Sequence, residues 1–209
     1  MKLKFSINFI PSNDTSKNRL FKMRHIQIDP KIRLESVQLS HASIIFDAID
    51  HDRSFLGEWL PFVNATQKIS DTEAFIKSLL MQQDPKRDDV FIIWYKEAFA
   101  GLIGFKDTDW VNRKTEIGYW LTEKMQGKGI VTKCIQQLVR YAFHTLHLNR
   151  IQIKVAQGNT KSAAIPQRLG FYHEGTERQG ERMGNRYFDL DVFSLIRADW
   201  PTHVENRRL

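Results

Sequence analysis

The segment TEIGYWLTEKMQGKGIVTKC, residues 115–134, carries two kinds of chemistry side by side. Its second half is a loop, Gln126, Gly127, Lys128 and Gly129, that enters a helix at Ile130, Val131 and Thr132. A helix N-terminus exposes unpaired backbone N–H groups and about half a positive charge, so an anion placed there gains hydrogen bonds and dipole attraction together. Gly127 and Gly129 permit positive φ and close backbone approach, Lys128 adds a cation, and Thr132 offers a hydroxyl in the first turn. The same glycines also suit a plain turn into a helix, and the loop matches neither the G-x-x-x-x-G-K-[ST] nor the G-x-G-x-x-G phosphate motif. The first half is a strand in which Glu116, Gly118 and Trp120 share one face and Ile117, Tyr119 and Leu121 the other. A carboxylate in an otherwise apolar central strand is costly to bury. Glu116 is therefore either paired with Arg113, Lys114 or a neighbouring strand, or it reaches a cleft as a general base. Asp189 and Asp191 on the last strand are secondary acidic candidates.

Further along, GNTKSAAIPQRLGF offers Asn159 as a helix N-cap and Ser162 in the first turn. Pro166 removes the helical bond to the Ser162 carbonyl, which either frees that carbonyl for another partner or marks a later helix start. Cys134 falls on the flank of the long helix's apolar stripe, as expected for a packed side chain, and His144 and His147 suit the C-terminal end of the helix dipole.

The elements that must hold these residues follow from periodicity. A strand is expected at Ile32–Val37, then an amphipathic helix over LSHASIIFDAID capped by Ser40. The segment FLGEWLPF leads to a second helix near Asp71, with Ser70 and Glu73 at capping-box spacing. Val90–Tyr95 and Ala98–Phe105 read as strands joined through Lys96 and Glu97, and Lys114–Leu121 as a third. The longest helical signal is 129–146; a strand at Ile151–Val155, a helix at Thr160–Arg168 closed by Gly170, and extended runs at 171–178 and 186–196 complete a mixed α/β domain.

The chain has 209 residues, 42% of them hydrophobic, enough for a core and against disorder throughout. Of the formal charge of +7, four units come from residues 1–22, which hold five Lys/Arg and one Asp. These residues read as a loose basic tail, with Met23 as an alternative start, leaving 23–209 as a single mildly basic domain. Without a Lys/Arg cluster interleaved with aromatics, no direct nucleic-acid role is expected. One cysteine and no zinc-spaced Cys/His set argue against a disulfide or metal and favour a cytoplasmic setting, and no apolar run suggests a membrane span.

In order and spacing, EIGYWL, QGKGIVT, LNRI, GNTKSAAIPQRLGF and YFDLDVFSLIRADW resemble the GNAT superfamily of acetyl-CoA-dependent N-acetyltransferases, and within it the RimL-type ribosomal-protein acetyltransferases. The resemblance spans about residues 32–200. It implies a mostly antiparallel sheet, splayed in the middle and flanked by helices, with acetyl-CoA as cosubstrate and no metal. It places the cofactor pyrophosphate on Gln126–Thr132, although the usual Arg or Gln three residues before the first glycine is Lys124 here. Tyr119–Leu121 would meet the pantetheine arm and polarise the thioester carbonyl, with Asn159 and Ser162 on the cofactor's other side. By the same resemblance Ser162 would protonate the departing thiolate, Glu116 would take the amine proton directly or through water, and Trp59 and Phe62 would shape the acceptor entrance. Asn159 as a cap, Ser162 as a solvated or capping serine, and Trp59 and Phe62 as helix-corner core are the other readings of the residues alone. The implied acceptor is a protein amine, such as the N-terminus of a ribosomal protein; an α-amine, with pKa about 8 against about 10.4 for lysine, is the easier to hold neutral. A polyamine or aminoglycoside acceptor, or a silent acyl-CoA sensor, are the alternatives. Exposed sheet edges leave a homodimer open.

Overall fold

The computed structural model describes residues 25–81 and 89–200; the basic tail and Met23 lie outside them. Eight strands form one sheet in the order β1-β2-β3-β4-β5-β6-β8-β7. They are β1 (His25–Asp29), β2 (Ile32–Ser36), β3 (Val90–Tyr95), β4 (Ala98–Asp109), β5 (Lys114–Leu121), β6 (Arg150–Ala156), β7 (Tyr172–Met183) and β8 (Arg186–Ile196). Every neighbouring pair is antiparallel except β5 and β6. A parallel pair needs a crossover, and α5 (Ile130–His144) supplies it.

Two apolar clusters cover the two faces. Beneath one face, α5 and α6 (Thr160–Arg168) bury Ile135, Leu138 and Phe143 against Phe91, Ile117, Ile151 and Phe193. Cys134 belongs here, fully buried, and burial pushes its thiol far above the ordinary value, so it packs and does not react. On the other face, α1 (Ala42–His51), α2 (Arg53–Leu56), α3 (Phe62–Ala65) and α4 (Ile69–Met81) set Ile45, Ile49, Leu56 and Ile76 against Ile92, Leu102 and Trp120. Among the described residues that second layer takes no core residue from β6, β7 or β8, so on this face those three strands stand outside the helix-packed cluster.

The expected strands and the three longer helices are present, and the differences have local causes. Strand β1 is additional: of its five residues only Ile26 is buried, so alternation gives almost no signal. Ser40 does not cap α1; a 3-10 turn at Leu39–His41 precedes it, and the Gln38 N–H donates to His41 Nδ1 at 3.1 Å. Helix α4 starts at Ile69, so Ser70 lies inside it, and the Asp71 carboxylate reaches back to the N–H groups of Gln67 (2.8 Å) and Lys68 (3.0 Å). Lys96 and Glu97 make the β3–β4 turn, both left-handed at φ 50° and 61°. No described helix is long and apolar enough to cross a membrane.

Candidate active site

Strands β5 and β6 pair at Lys114↔Arg150, Thr115↔Ile151 and Glu116↔Gln152, and there the ladder stops. Beyond that point β5 stays paired with β4 as far as Leu121, while β6 turns away to pair with β8 as far as Ala156. The sheet therefore opens into a V whose vertex is Glu116. The Arg113 carbonyl accepts from the N–H groups of Asn149 (2.7 Å) and Arg150 (3.1 Å) on the β6 side, whereas Thr122 N–H donates to Ala100 on the β4 side at 2.9 Å. Successive strand residues alternate the edge to which they present N–H and C=O, so Ile117, Tyr119 and Leu121 turn theirs into the opening. Such groups require a partner, and an extended ligand arm supplies one.

Against this opening lies a cleft of about 1110 Å³ lined by Tyr119, Leu121, Gln126, Gly127, Lys128, Gly129, Ile130, Val131, Thr132, Asn159 and Ser162, with Trp59 at its side. Gly127 and Gly129 both stand at φ 70°, and Gly129 is the N-cap of α5, so no side chain caps the helix. The first-turn N–H groups are thus open to an anion, as a phosphate site requires. Lys161 and Arg168, absent from the residues expected from sequence, face this loop from α6: Lys161 Nζ donates to Gln126 Oε1 (3.1 Å) and Arg168 Nη1 to Thr132 Oγ1 (3.3 Å). Their spacing of seven residues, two helical turns, is the sequence signal for them. Lys128 turns back to the Lys124 carbonyl, and Lys133 is paired with Asp29 at 2.8 Å.

On the far wall Asn159 Oδ1 accepts the Ser162 N–H at 3.1 Å, so Asn159 is a helix cap while also lining the cleft. The Tyr119 hydroxyl lies 3.2 Å from the Ser162 carbonyl and 3.0 Å from Ser162 Oγ. Burial pushes the Tyr119 phenol up to about 12, the bond with Ser162 opposing, so it stays protonated at neutral pH. A side chain at Gly158 would meet Trp59 Cη2 at 3.4 Å, so the Trp59 ring sits over the backbone at the end of β6. Phe62 is outside the cleft lining, 39% exposed, with its ring 6.4 Å from that of Trp120.

Glu116 also lies outside the cleft lining, on the face of β5 opposite Tyr119. It is 5% exposed, receives Lys106 Nζ at 2.8 Å on one carboxylate oxygen and Gln152 Nε2 at 3.0 Å on the other. The ion-pair partner is thus on the neighbouring strand, not Arg113 or Lys114. Burial opposes the Lys106 charge, but Glu116 outweighs it and holds the ammonium above its ordinary value. A second carboxylate, Glu181 of β7, shares this neighbourhood: burial and the charge of Glu116 raise it, while Lys106 and Lys154 pull the other way. Sequence spacing gave no sign of Glu181, because a bulge between Glu177 and Glu181 sets its direction. Asp191 and Asp189 of β8 hold this hairpin together, accepting from Thr176 Oγ1 (3.0 Å) and Gln179 N–H (2.7 Å) of β7. No group of three metal-ligating side chains occurs among the described residues.

The model of the acetyltransferase (GNAT) domain matches residues 31–172. The chain belongs to the GNAT acetyltransferase family. A Bacillus subtilis protein with the provisional name of a ribosomal N-acetyltransferase is 33% identical over 175 residues, 83% of this chain and 96% of that protein. The Escherichia coli ribosomal-protein-serine acetyltransferase is 27% identical over 82% of this chain and 96% of its own length. Among solved structures, the microcin C7 self-immunity acetyltransferase in complex with acetyl-CoA and AMP superposes with a TM-score of 0.79 at 28% identity, covering 85% of this chain and 98% of that one. This GNAT protein is an acetyl-CoA-dependent N-acetyltransferase. The open α5 N-terminus and the unpaired edge of β5 fit the phosphates and the amide-bearing arm of that cosubstrate.

Proposed function

We propose that this GNAT enzyme acetylates a protein amine, the N-terminal amine of a ribosomal protein, by direct attack on acetyl-CoA. The observation that carries the reading is the division of the sheet at Glu116: the cofactor cleft runs from the α5 and α6 side through the opening to Leu56 and Trp120, and beside the α1–α4 layer a polar stretch of the other face holds Glu116, Lys106, Gln152 and Lys154. An acceptor entering from that face reaches the opening beside Gly118, where the nearest atom a side chain would meet is Lys106 Cδ at 3.8 Å. The names of the two bacterial relatives support a ribosomal-protein acceptor.

The acetyl thioester is already activated, so the enzyme has three tasks: orient both reactants, take the ammonium proton and stabilise the oxyanion. Gln126–Thr132 hold the phosphates, and the inward N–H groups of Ile117, Tyr119 and Leu121 hold the arm, one of them polarising the thioester carbonyl. Ser162 donates to the departing sulfur. The proton acceptor is the Glu116–Glu181 pair. Glu116, named from the sequence, has both oxygens engaged, which favours Glu181 as the member that takes the proton while Glu116 sets its charge environment.

Lys106 and Lys154 give the acceptor face mixed charge, which suits a singly charged amine better than a polyamine or aminoglycoside. The test is thiol release from acetyl-CoA with N-terminal peptides of ribosomal proteins, lysine peptides, spermidine and an aminoglycoside, with the acetylated atom located by mass spectrometry. The N-terminal peptides are expected to give the highest kcat/KM and to be modified on the α-amine. Faster turnover of spermidine or the aminoglycoside would replace this reading with a small-amine enzyme. Acetyl-CoA binding with no release for any amine would replace it with a silent sensor.

A further inference from the structure

Helix α6 contains a proline at its seventh residue, and the consequence falls on Ser162. In a regular helix the N–H of residue 166 would bond to the carbonyl of residue 162; Pro166 has no N–H, so that carbonyl is left over. The helix still starts at Thr160, ahead of the proline, so the missing bond is a gap inside the element and not its boundary. A leftover carbonyl at a half-buried position needs another donor. The Tyr119 hydroxyl, coming from β5 on the other wall of the opening, lies 3.2 Å from it. The same hydroxyl lies 3.0 Å from Ser162 Oγ. With the Ser162 N–H donated to Asn159 Oδ1 at 3.1 Å and the single phenol proton given to the carbonyl, both backbone polar groups of Ser162 are held, while Oγ lies beside the phenol oxygen with its own proton left to give.

We propose that Tyr119 is a positioning residue: through the carbonyl that Pro166 leaves unpaired it fixes Ser162, so that the serine hydroxyl faces the departing thiolate. This rests on the reading of Ser162 as the donor to that sulfur. In the step concerned, the amine nitrogen bonds to the acetyl carbon and the carbon–sulfur bond breaks with its electron pair on sulfur. Ser162 gives its hydroxyl proton to that sulfur, the amine proton goes to the carboxylate pair, and that proton then passes through water to Ser162, so that both groups are reset. Tyr119 gains and loses nothing over the cycle; its phenol, held near 12, remains a fixed donor across the working pH range. The geometry also explains the distribution of the site over two elements: β5 supplies the tyrosine, α6 the serine, and the cofactor arm runs between them.

The experiment is a double-mutant cycle in the full-length enzyme with Y119F, S162A and the double variant, measuring kcat and the KM for acetyl-CoA, with acetyl-CoA affinity measured separately by calorimetry. Y119F is expected to lower kcat about tenfold, the effect of one hydrogen bond of ordinary strength, with acetyl-CoA affinity unchanged. In the S162A background the same change is expected to cost nothing further. Equal losses from Y119F with and without Ser162, or no loss from Y119F where S162A is impaired, would overturn the positioning role. Full activity in S162A would instead remove the reading of Ser162 itself. A Y119F loss confined to acetyl-CoA affinity would make the tyrosine a cofactor support and overturn the proposal.

Discussion

Glu116 has one carboxylate oxygen tied to Lys106 and the other to Gln152, which holds the group in place on β5. Glu181, raised by burial and by the charge of Glu116 against the pull of Lys106 and Lys154, is the acceptor in the proposed mechanism. E181Q is therefore expected to lower turnover by about 100- to 10,000-fold while leaving acetyl-CoA affinity intact, and to erase the acid limb of kcat/KM. E116Q gives a prediction of definite sign. Removing the neighbouring negative charge lowers the Glu181 pKa, and since the working form is deprotonated, the acid limb moves to lower pH. A limb that moves upward, or stays fixed in both variants, would show that neither carboxylate is the acceptor. The sequence made part of this legible: the alternation in β5 identified Glu116 as a buried carboxylate, and Pro166 pointed to the Ser162 carbonyl. Glu181 was hidden, because its neighbourhood depends on a bulge and on strands 65 residues apart.

The elements to which the proposal assigns acetyl-CoA binding are the α5 entrance and the opened edge of β5. The entrance was readable because two glycines flanking a lysine have a direct backbone meaning, and both adopt φ 70°. Gly127→Val is expected to weaken acetyl-CoA binding about tenfold or more, measured by calorimetry, because a β-branched residue is strained in the left-handed region and crowds the anion. No protein atom lies within 4 Å of the added Cβ position, so the loss belongs to the loop conformation and the ligand, not to a core clash. An unchanged Kd would contradict the phosphate assignment. The hairpin from Val90 and the strand from Lys114 followed from their runs of apolar residues, whereas β1 and the caps of α1 and α4 did not. One buried isoleucine gives no period, and a cap is decided by which side chain reaches back, as Asp71 does where Ser70 had the expected spacing.

At the scale of the molecule, the parallel pairing of β5 with β6 within an antiparallel sheet produces the site. A single parallel junction lets the two halves of the sheet diverge after Glu116, so that a thioester lying on one face can be approached by an amine from the other. The order of elements implied this mixed fold, but the place where pairing ends is a property of three-dimensional register that no local pattern encodes. On the proposed mechanism the two reactants meet through the opening and are bound at the same time, with no acetyl group resting on the protein, and the single cysteine is buried in α5. The most direct test is the initial-rate pattern with acetyl-CoA and an N-terminal peptide varied together. Lines that intersect in the double-reciprocal plot are expected, as for transfer within a ternary complex; parallel lines, with acetyl-enzyme caught by mass spectrometry in the absence of amine, would contradict direct transfer.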